Sequence, residues 1–192
     1  MKASAISTAN IALVKYWGKK EHQIPANPSI SFTLSNCKTT TTLHYTKLEN
    51  PSEEFQFDIF LEEEQKDDFK PKIATFFKRI TQYVPFIKEY SYRIETSNSF
   101  PHSSGIASSA SGMSALALCV MSIEKELHPS LSEQEFTQKA SFLARLGSGS
   151  ACRSLEGDVV CWGTHKDIIG TSDLFGVKYP FEVHQNFKNY QD

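Results

Sequence analysis

The chain has 192 residues, 40% hydrophobic and 22% charged, which is apolar material enough for one ordinary domain with a real core. A formal net charge of −2 gives no overall attraction to nucleic acid or to an anionic membrane. The longest apolar run, residues 115–123, is too short and too interrupted to cross a bilayer.

In chain order, residues 5–16 read as a strand that breaks at Gly18. Pro25 and Pro28 keep residues 20–28 irregular, because proline restricts its own φ and the residue before it. Residues 30–34 alternate apolar and hydroxyl side chains, as a strand with one buried face does, and the threonine-rich stretch 38–46 favours extended structure. Residues 55–61 alternate again. Nine acidic residues between positions 49 and 68 predict a solvated hairpin and helix start. From Asp68 the period becomes helical, with Phe69, Ile73, Phe76, Phe77 and Ile80 on one face. Residues 90–96 predict a strand, and residues 104–127 a helix ended by Pro129. A second helix over 132–145 opens with Ser132 and Glu135, a capping box. A small hydroxyl-rich loop follows at 147–150, then a buried strand at 159–162. Residues 179–190 look like the approach to another strand, with no closing element before Asp192, so the chain reads as the first half of a longer protein. The order of strands and helices is α+β, not a parallel βαβ series.

The four cysteines, at 37, 119, 152 and 161, form no C-x-x-C pair, and no histidine pair has metal-ligand spacing. Cys119 lies in an apolar run and reads as core. No signal peptide pattern follows Met1, so reduced thiols and a cytoplasmic setting are expected.

Three stretches carry chemistry. SFPHSSGIASSASG, residues 99–112, places six serines and three glycine or proline residues at the mouth of a helix. Unpaired N–H groups and the helix dipole favour an anion there, and small residues let it approach. The lysine of a Walker A motif and the spacing of G-x-G-x-x-G are both missing. ANIALVKYWGKK, residues 9–20, puts Lys15, Lys19 and Lys20 beside Tyr16 and Trp17, compact cations next to rings that can wall a pocket. RLGSGSACRS, residues 145–154, offers a serine-rich turn and Arg153, whose fork matches phosphate or carboxylate oxygens. Three anion-friendly stretches in one small chain point to a single polyanionic site. The bland alternatives are a linker before a helix, a basic surface loop, and a helix C-cap at Gly147.

These stretches resemble the N-terminal part of the diphosphomevalonate decarboxylase family, in the superfamily of galactokinase, homoserine kinase, mevalonate kinase and phosphomevalonate kinase. The matching patterns are N-I-A-x-x-K-Y-W-G-K at residues 10–19, N-x-S-[IL]-S-x-T-L at 27–34, N-x-F-P-x-x-x-G-[LI]-A-S-S-A at 98–110 and S-x-L-A-R-x-G-S-G-S-A-C-R-S at 141–154. The K-Y-W-G-K and G-S-G-S-A-C-R stretches separate the decarboxylases from their kinase relatives.

The resemblance implies an ATP- and magnesium-dependent decarboxylation of 5-diphosphomevalonate to isopentenyl diphosphate. It implies an α+β fold, with a mixed or antiparallel sheet against helices in a two-layer sandwich. Residues 1–192 are then an N-terminal ATP- and substrate-binding domain whose C-terminal partner domain is missing. It assigns Ser103, Ser104, Gly105, Ile106, Ala107, Ser108 and Ser109 to the ATP phosphates, with Ser109 on magnesium. It assigns Tyr16, Trp17, Gly18, Lys19 and Lys72 to the substrate diphosphate, with Lys19 also near the reacting hydroxyl as the catalytic candidate. Ser148, Gly149, Ser150, Ala151, Cys152 and Arg153 hold the substrate, Arg153 on its carboxylate. Ile106 stands where leucine is common. The family's C-terminal aspartate, thought to orient or deprotonate the 3-hydroxyl, has no match among Asp158, Asp167, Asp173 and Asp192, so the 192 residues alone are expected to lack turnover. A homodimer that covers exposed apolar surface is expected. The rival readings are a superfamily kinase without decarboxylation and a nucleic-acid-binding α+β module; the absent basic stripe counts against the latter.

Overall fold

The computed structural model describes residues 1–52, 54–101 and 106–188. Its spine is β2, Ser29–Lys47, a 19-residue strand. The two threonine- and serine-rich stretches expected as separate strands are this one strand, because no proline or glycine breaks them. β1, Lys2–Val14, runs antiparallel along one side of β2. The register slips between Thr8 and Ala9, whose partners are Lys38 and Leu34, so Ser35, Asn36 and Cys37 bulge out.

The other side of β2 is shared. Residues 39–47 pair with β5, Tyr90–Asn98, and residues 29–32 pair with β6, Val159–Trp162. Beyond β5 lie β3, Phe57–Leu61, in parallel, and the short β4, Glu64–Gln65; beyond β6 lies β7, Val177–Lys178. Among the described residues the sheet has seven strands and is mixed, as expected.

The helices form the second layer. α1, Lys70–Ile80, buries Ile73, Phe76, Phe77 and Ile80. Phe77 meets Phe55, Phe57 and Tyr92 at ring separations of 5.4–5.5 Å. Each such fully buried side chain contributes about 1.5–3 kcal/mol. α2, Ser108–Leu127, is buried almost all round, from Ala110 to Ile123. Its small residues let it settle on β1 and β2, where the Cys119 thiol reaches the Thr41 carbonyl at 3.3 Å. α3, Glu133–Gly147, starts at Ser132 with the anticipated reciprocal capping box.

Strand ends shift by one to three residues from the sequence reading, β1 for example covering Lys2–Val14, and three boundaries have a clear physical reason or consequence. α2 begins at Ser108, not near 104; Ile106 and Ala107 precede it in non-helical backbone, and 102–105 fall outside the described residues. α3 runs through Gly147 and is capped by Ser148. The glycine is there for space, since a Cβ would sit 2.7 Å from Met113 Sδ and 3.0 Å from Phe76 Cδ2. Past β7 the chain gives no long strand: Pro180 lacks an N–H for pairing, and a single helical turn follows at α4, Gln185–Lys188. The acidic stretch is a surface hairpin held by Lys66–Glu64, Lys70–Asp58 and Lys70–Asp67 pairs.

Candidate functional site

β2 gathers the site because it touches β1, β5 and β6 at once. At its N-terminal end, Ser29 faces Trp162 across the β6 pairing. The Arg153 guanidinium donates from Nη1 to Ser29 Oγ at 2.8 Å. It sits 5.6 Å from the Tyr16 ring and 5.9 Å from that of Trp162, in cation–π range. Tyr16 and Trp162 themselves pack edge to face at 5.1 Å, and Trp162 Nε1 donates to the Asp173 carbonyl at 2.9 Å. Arg153 and Trp162 are wholly buried, so the stretches 9–20 and 145–154 share a floor.

Arg153 has no salt bridge among the described residues, and its Nε has no hydrogen-bond partner. Burial pushes the guanidinium pKa down, and no carboxylate opposes that. Two more buried polar atoms nearby in the sheet lack partners: Asn10 Oδ1 on β1 and Ser31 Oγ on β2. Asn10 Nδ2 is already spent on the Ser150 carbonyl at 3.1 Å and Ser154 Oγ at 2.8 Å, which ties β1 to the 3-10 segment Gly149–Ser154. A buried cation without an anion is costly, so this floor fits an incoming carboxylate or phosphate.

The rim is cationic. Lys19 leaves the β1 end on a loop whose frame is Asn27: Asn27 Oδ1 accepts from Trp17 N at 2.7 Å, and Nδ2 donates to the Lys15 and Pro28 carbonyls. The Lys19 stem crosses Gly149, where a Cβ would lie 3.1 Å from Lys19 Cδ and 2.8 Å from Trp162 Cη2. Gly149 is therefore the gap through which the lysine passes. Lys72, on the first turn of α1, has its pKa lowered first by burial of the ammonium among its neighbours and then by Lys19, although its side chain reaches solvent. The Lys19 charge is thus felt at Lys72.

Not every expected residue converges. Trp17 is 86% exposed and is fixed by its backbone, not its ring. Ala151 and Cys152 are fully buried; the Cys152 thiol donates to the Gly149 carbonyl and its pKa is pushed up to about 12 by burial. They offer a ligand no side-chain surface. Gly18 accepts from Ala26 N at 2.9 Å, closing the loop base, and Ser148 caps α3. Lys15 and Lys20 are exposed.

The phosphate-loop candidates follow the Thr39–Asn98 end of the β2–β5 pairing. Ser103, Ser104 and Gly105 lie outside the described residues; Ile106 and Ala107 lead into α2, Ser108 is half-buried and Ser109 exposed. The N-cap is Ala107, which has no side-chain acceptor, and the first turn holds no acidic residue. Thr39 on β2 bonds Asn98 Oδ1 at 2.7 Å and Ser111 Oγ at 2.6 Å, so one hydroxyl clamps both ends of the loop. Ser99 completes the clamp: its N–H reaches the Lys38 carbonyl, while its hydroxyl donates to the Asn36 carbonyl and accepts from Lys38 N. α2 then reaches α3 where Met113 packs on Gly147. The small residues Ala107, Ser108, Ser109 and Ala110 at the start of α2 fit the approach of a phosphate chain. Among the described residues no group of three or more His, Cys, Asp and Glu could hold a metal ion.

The sequence reading assigned no role to Asn10, Ser31, Thr39 or Trp162. Asn10 carried a signal, a polar residue inside a β-branched, apolar strand. Thr39 carried none, being one of four consecutive threonines.

A two-layer α+β domain with an unneutralised buried arginine and a cationic rim is the class these features define. The chain belongs to the diphosphomevalonate decarboxylase-like N-terminal domain family, which it matches over residues 7–174. It is 37% identical over 177 residues to a diphosphomevalonate decarboxylase of Ganoderma lucidum, covering 84% of this chain and 41% of that one. Its backbone is similar to that of the mevalonate diphosphate decarboxylase from Enterococcus faecalis, with a TM-score of 0.73 at 32% identity, covering 94% of this chain and 52% of that one. A structure of MDDEF in complex with MVAPP, AMPPCP and magnesium gives 0.69 at 32% identity, over 87% of this chain and 48% of that one. The chain thus spans about half the length of the relatives it matches.

Proposed function

We propose that this domain binds 5-diphosphomevalonate and ATP with magnesium, for an ATP-dependent decarboxylation that yields isopentenyl diphosphate, ADP, phosphate and carbon dioxide. The observation that carries the reading is Arg153, 3% exposed, with no ion-pair partner among the described residues and an unpartnered Nε. A carboxylate that will leave as carbon dioxide needs such a seat until it departs. Lys19 and Lys72 together match the charge of a diphosphate, and Lys19 lies near the reacting hydroxyl. Ile106, Ala107, Ser108 and Ser109 line the path of the nucleotide phosphates, with Ser103, Ser104 and Gly105 assigned by resemblance, and Ser109 serves magnesium.

When bound, ATP with magnesium supplies the phosphoryl group that turns the tertiary hydroxyl into a leaving group. The residues of this chain position and neutralise. Arg153 and Ser150 hold the carboxylate end, Lys19 and Lys72 hold the diphosphate end, and Tyr16 over Trp162 shields the guanidinium from water. The hydroxyl-orienting aspartate of the family has no counterpart among the 192 residues, so binding without turnover is the expectation for this chain by itself. A cytoplasmic homodimer that binds neither nucleic acid nor membrane completes the proposal. Among the described residues no helix is long and apolar enough to cross a membrane.

Calorimetry with 5-diphosphomevalonate and with mevalonate tests this. Tight binding of the first and none of the second supports the reading; equal binding of both favours a mevalonate kinase. Release of carboxyl-derived carbon dioxide by a protein carrying both halves of its relatives' length separates decarboxylation from simple phosphorylation.

A further inference from the structure

Gln23 stands in none of the matched motifs, yet its side chain ends at the centre of the cationic rim. Lys19 Nζ donates to Gln23 Oε1 at 2.6 Å. The same oxygen lies 3.5 Å from where a Cβ on Gly149 would be, so the amide, the lysine stem and the glycine gap meet at one point. We infer that Gln23 is the positioning residue for Lys19: its amide carbonyl aims the ammonium across Gly149 toward the diphosphate seat without taking any of its charge. This rests on the diphosphate reading above.

The loop is built to present that carbonyl. His22 and Gln23 both adopt left-handed backbone, at φ 55° and 61°, which L-residues avoid unless the surroundings impose it. The imposition comes from Arg145, 1% exposed, which donates from Nη1 to the His22 carbonyl and from Nε to the Leu174 carbonyl at 2.6 Å. The turn is closed by Lys20 N to the Ile24 carbonyl at 2.7 Å and by Ile24 N to the Glu21 carbonyl. Lys19 pairs with Pro25 in an isolated bridge, so the donor stands on one arm of a small hairpin and the acceptor in its turn.

The choice of an amide has a reason. An acceptor is needed, because a lone lysine stem loses several rotamers when it is fixed. A carboxylate would fix it better but would offset its charge against an incoming phosphoryl group. The loop's own carboxylate, Glu21, is solvent-exposed instead. A neutral acceptor restrains Lys19 and leaves the full cation for the ligand.

Two variants of the 192-residue chain separate shape from charge, with inorganic pyrophosphate as the probe. Gln23→Met keeps the bulk and loses the acceptor; Gln23→Glu keeps the acceptor and adds a charge. Calorimetry gives the pyrophosphate affinity, and NMR relaxation of the Lys19 ε-methylene gives its restraint. The expected result for Gln23→Met is a loosened Lys19 ε-carbon and about a three- to tenfold weaker affinity at an unchanged melting temperature. For Gln23→Glu it is an equally restrained Lys19 with about tenfold weaker affinity and a shallower salt dependence. A Lys19 as ordered in Gln23→Met as in the parent, or parent-like pyrophosphate affinity in both variants, would overturn the assignment. If the parent chain binds no pyrophosphate, the diphosphate reading fails, while the Lys19 relaxation still decides whether Gln23 positions it.

Discussion

Replacing Arg153 by methionine is expected to leave the fold as stable as before while removing substrate affinity. Truncating a large side chain that is 3% exposed would ordinarily cost several kcal/mol. Here the balance is different. The substitution loses the 2.8 Å bond to Ser29 Oγ, about 1.5–3 kcal/mol for a charged donor, and two cation–π contacts at 5.6 and 5.9 Å, about 0.5–1 kcal/mol each. It relieves an uncompensated buried charge, about 3–5 kcal/mol, and methionine refills most of the volume. The terms cancel to within about 2 kcal/mol, or roughly 8 °C in melting temperature at this size. Affinity for 5-diphosphomevalonate, by contrast, should fall about 10- to 100-fold, the loss of one charge-assisted carboxylate contact. Scanning calorimetry and titration calorimetry on the same preparations measure both. A melting temperature lowered by far more than this, with affinity intact, would show that Arg153 is a structural residue and that its empty Nε has no ligand.

Other consequences are equally accessible. Thr39→Val removes the hydroxyl that joins Asn98 to Ser111, and should cost about 1–3 kcal/mol of stability; ATP-analogue binding should weaken more than 5-diphosphomevalonate binding. Equal losses for both ligands would argue that the clamp is not local to the nucleotide loop. Burial and then the Lys19 charge lower the folded pKa of Lys72, so it gives up its proton at a lower pH than a solvated lysine does. An arriving diphosphate favours the charged form, so binding takes up protons in alkaline buffer and none near neutrality; titrations in buffers of different ionisation enthalpy read this, and the effect should vanish in Lys72→Met. Burial pushes the Cys119 and Cys152 thiols up to about 12 and raises that of Cys161, whereas Cys37 is partly exposed. A thiol reagent should label Cys37 alone in the native chain and all four cysteines after denaturation.

Much of the architecture was legible because it is local. The helical period of Phe69 to Ile80, the capping box of Ser132 and Glu135, and the alternation around Tyr90, Tyr92 and Ile94 are short-range signals, and the structure carries each. The three loop motifs were legible for the same reason, as runs of small, hydroxyl and cationic residues. What escaped was whatever depends on β2. Its single strand sets Ser29 opposite Trp162 and Thr39 opposite Asn98, pairings across 133 and 59 residues that no window of the chain displays. Trp162 therefore read as ordinary core, and Thr39 as one more threonine of a β-forming run. Gln23 and Arg145 were hidden differently. The first sits in a loop made irregular by prolines, and the second belongs to a helix end whose partner, the His22 carbonyl, is backbone and leaves no mark in the sequence.

The most direct measurement is an amide and side-chain NMR titration of the chain with 5-diphosphomevalonate. If one anion seat is built where β1, the Gly149–Ser154 turn and α1 meet, then Asn10, Lys19, Gly149, Arg153 and Lys72 respond together at a common midpoint, and the acidic hairpin at 58–67 stays silent. Responses scattered over the surface, or confined to one of those segments while the Arg153 guanidinium signal stays fixed, would contradict it.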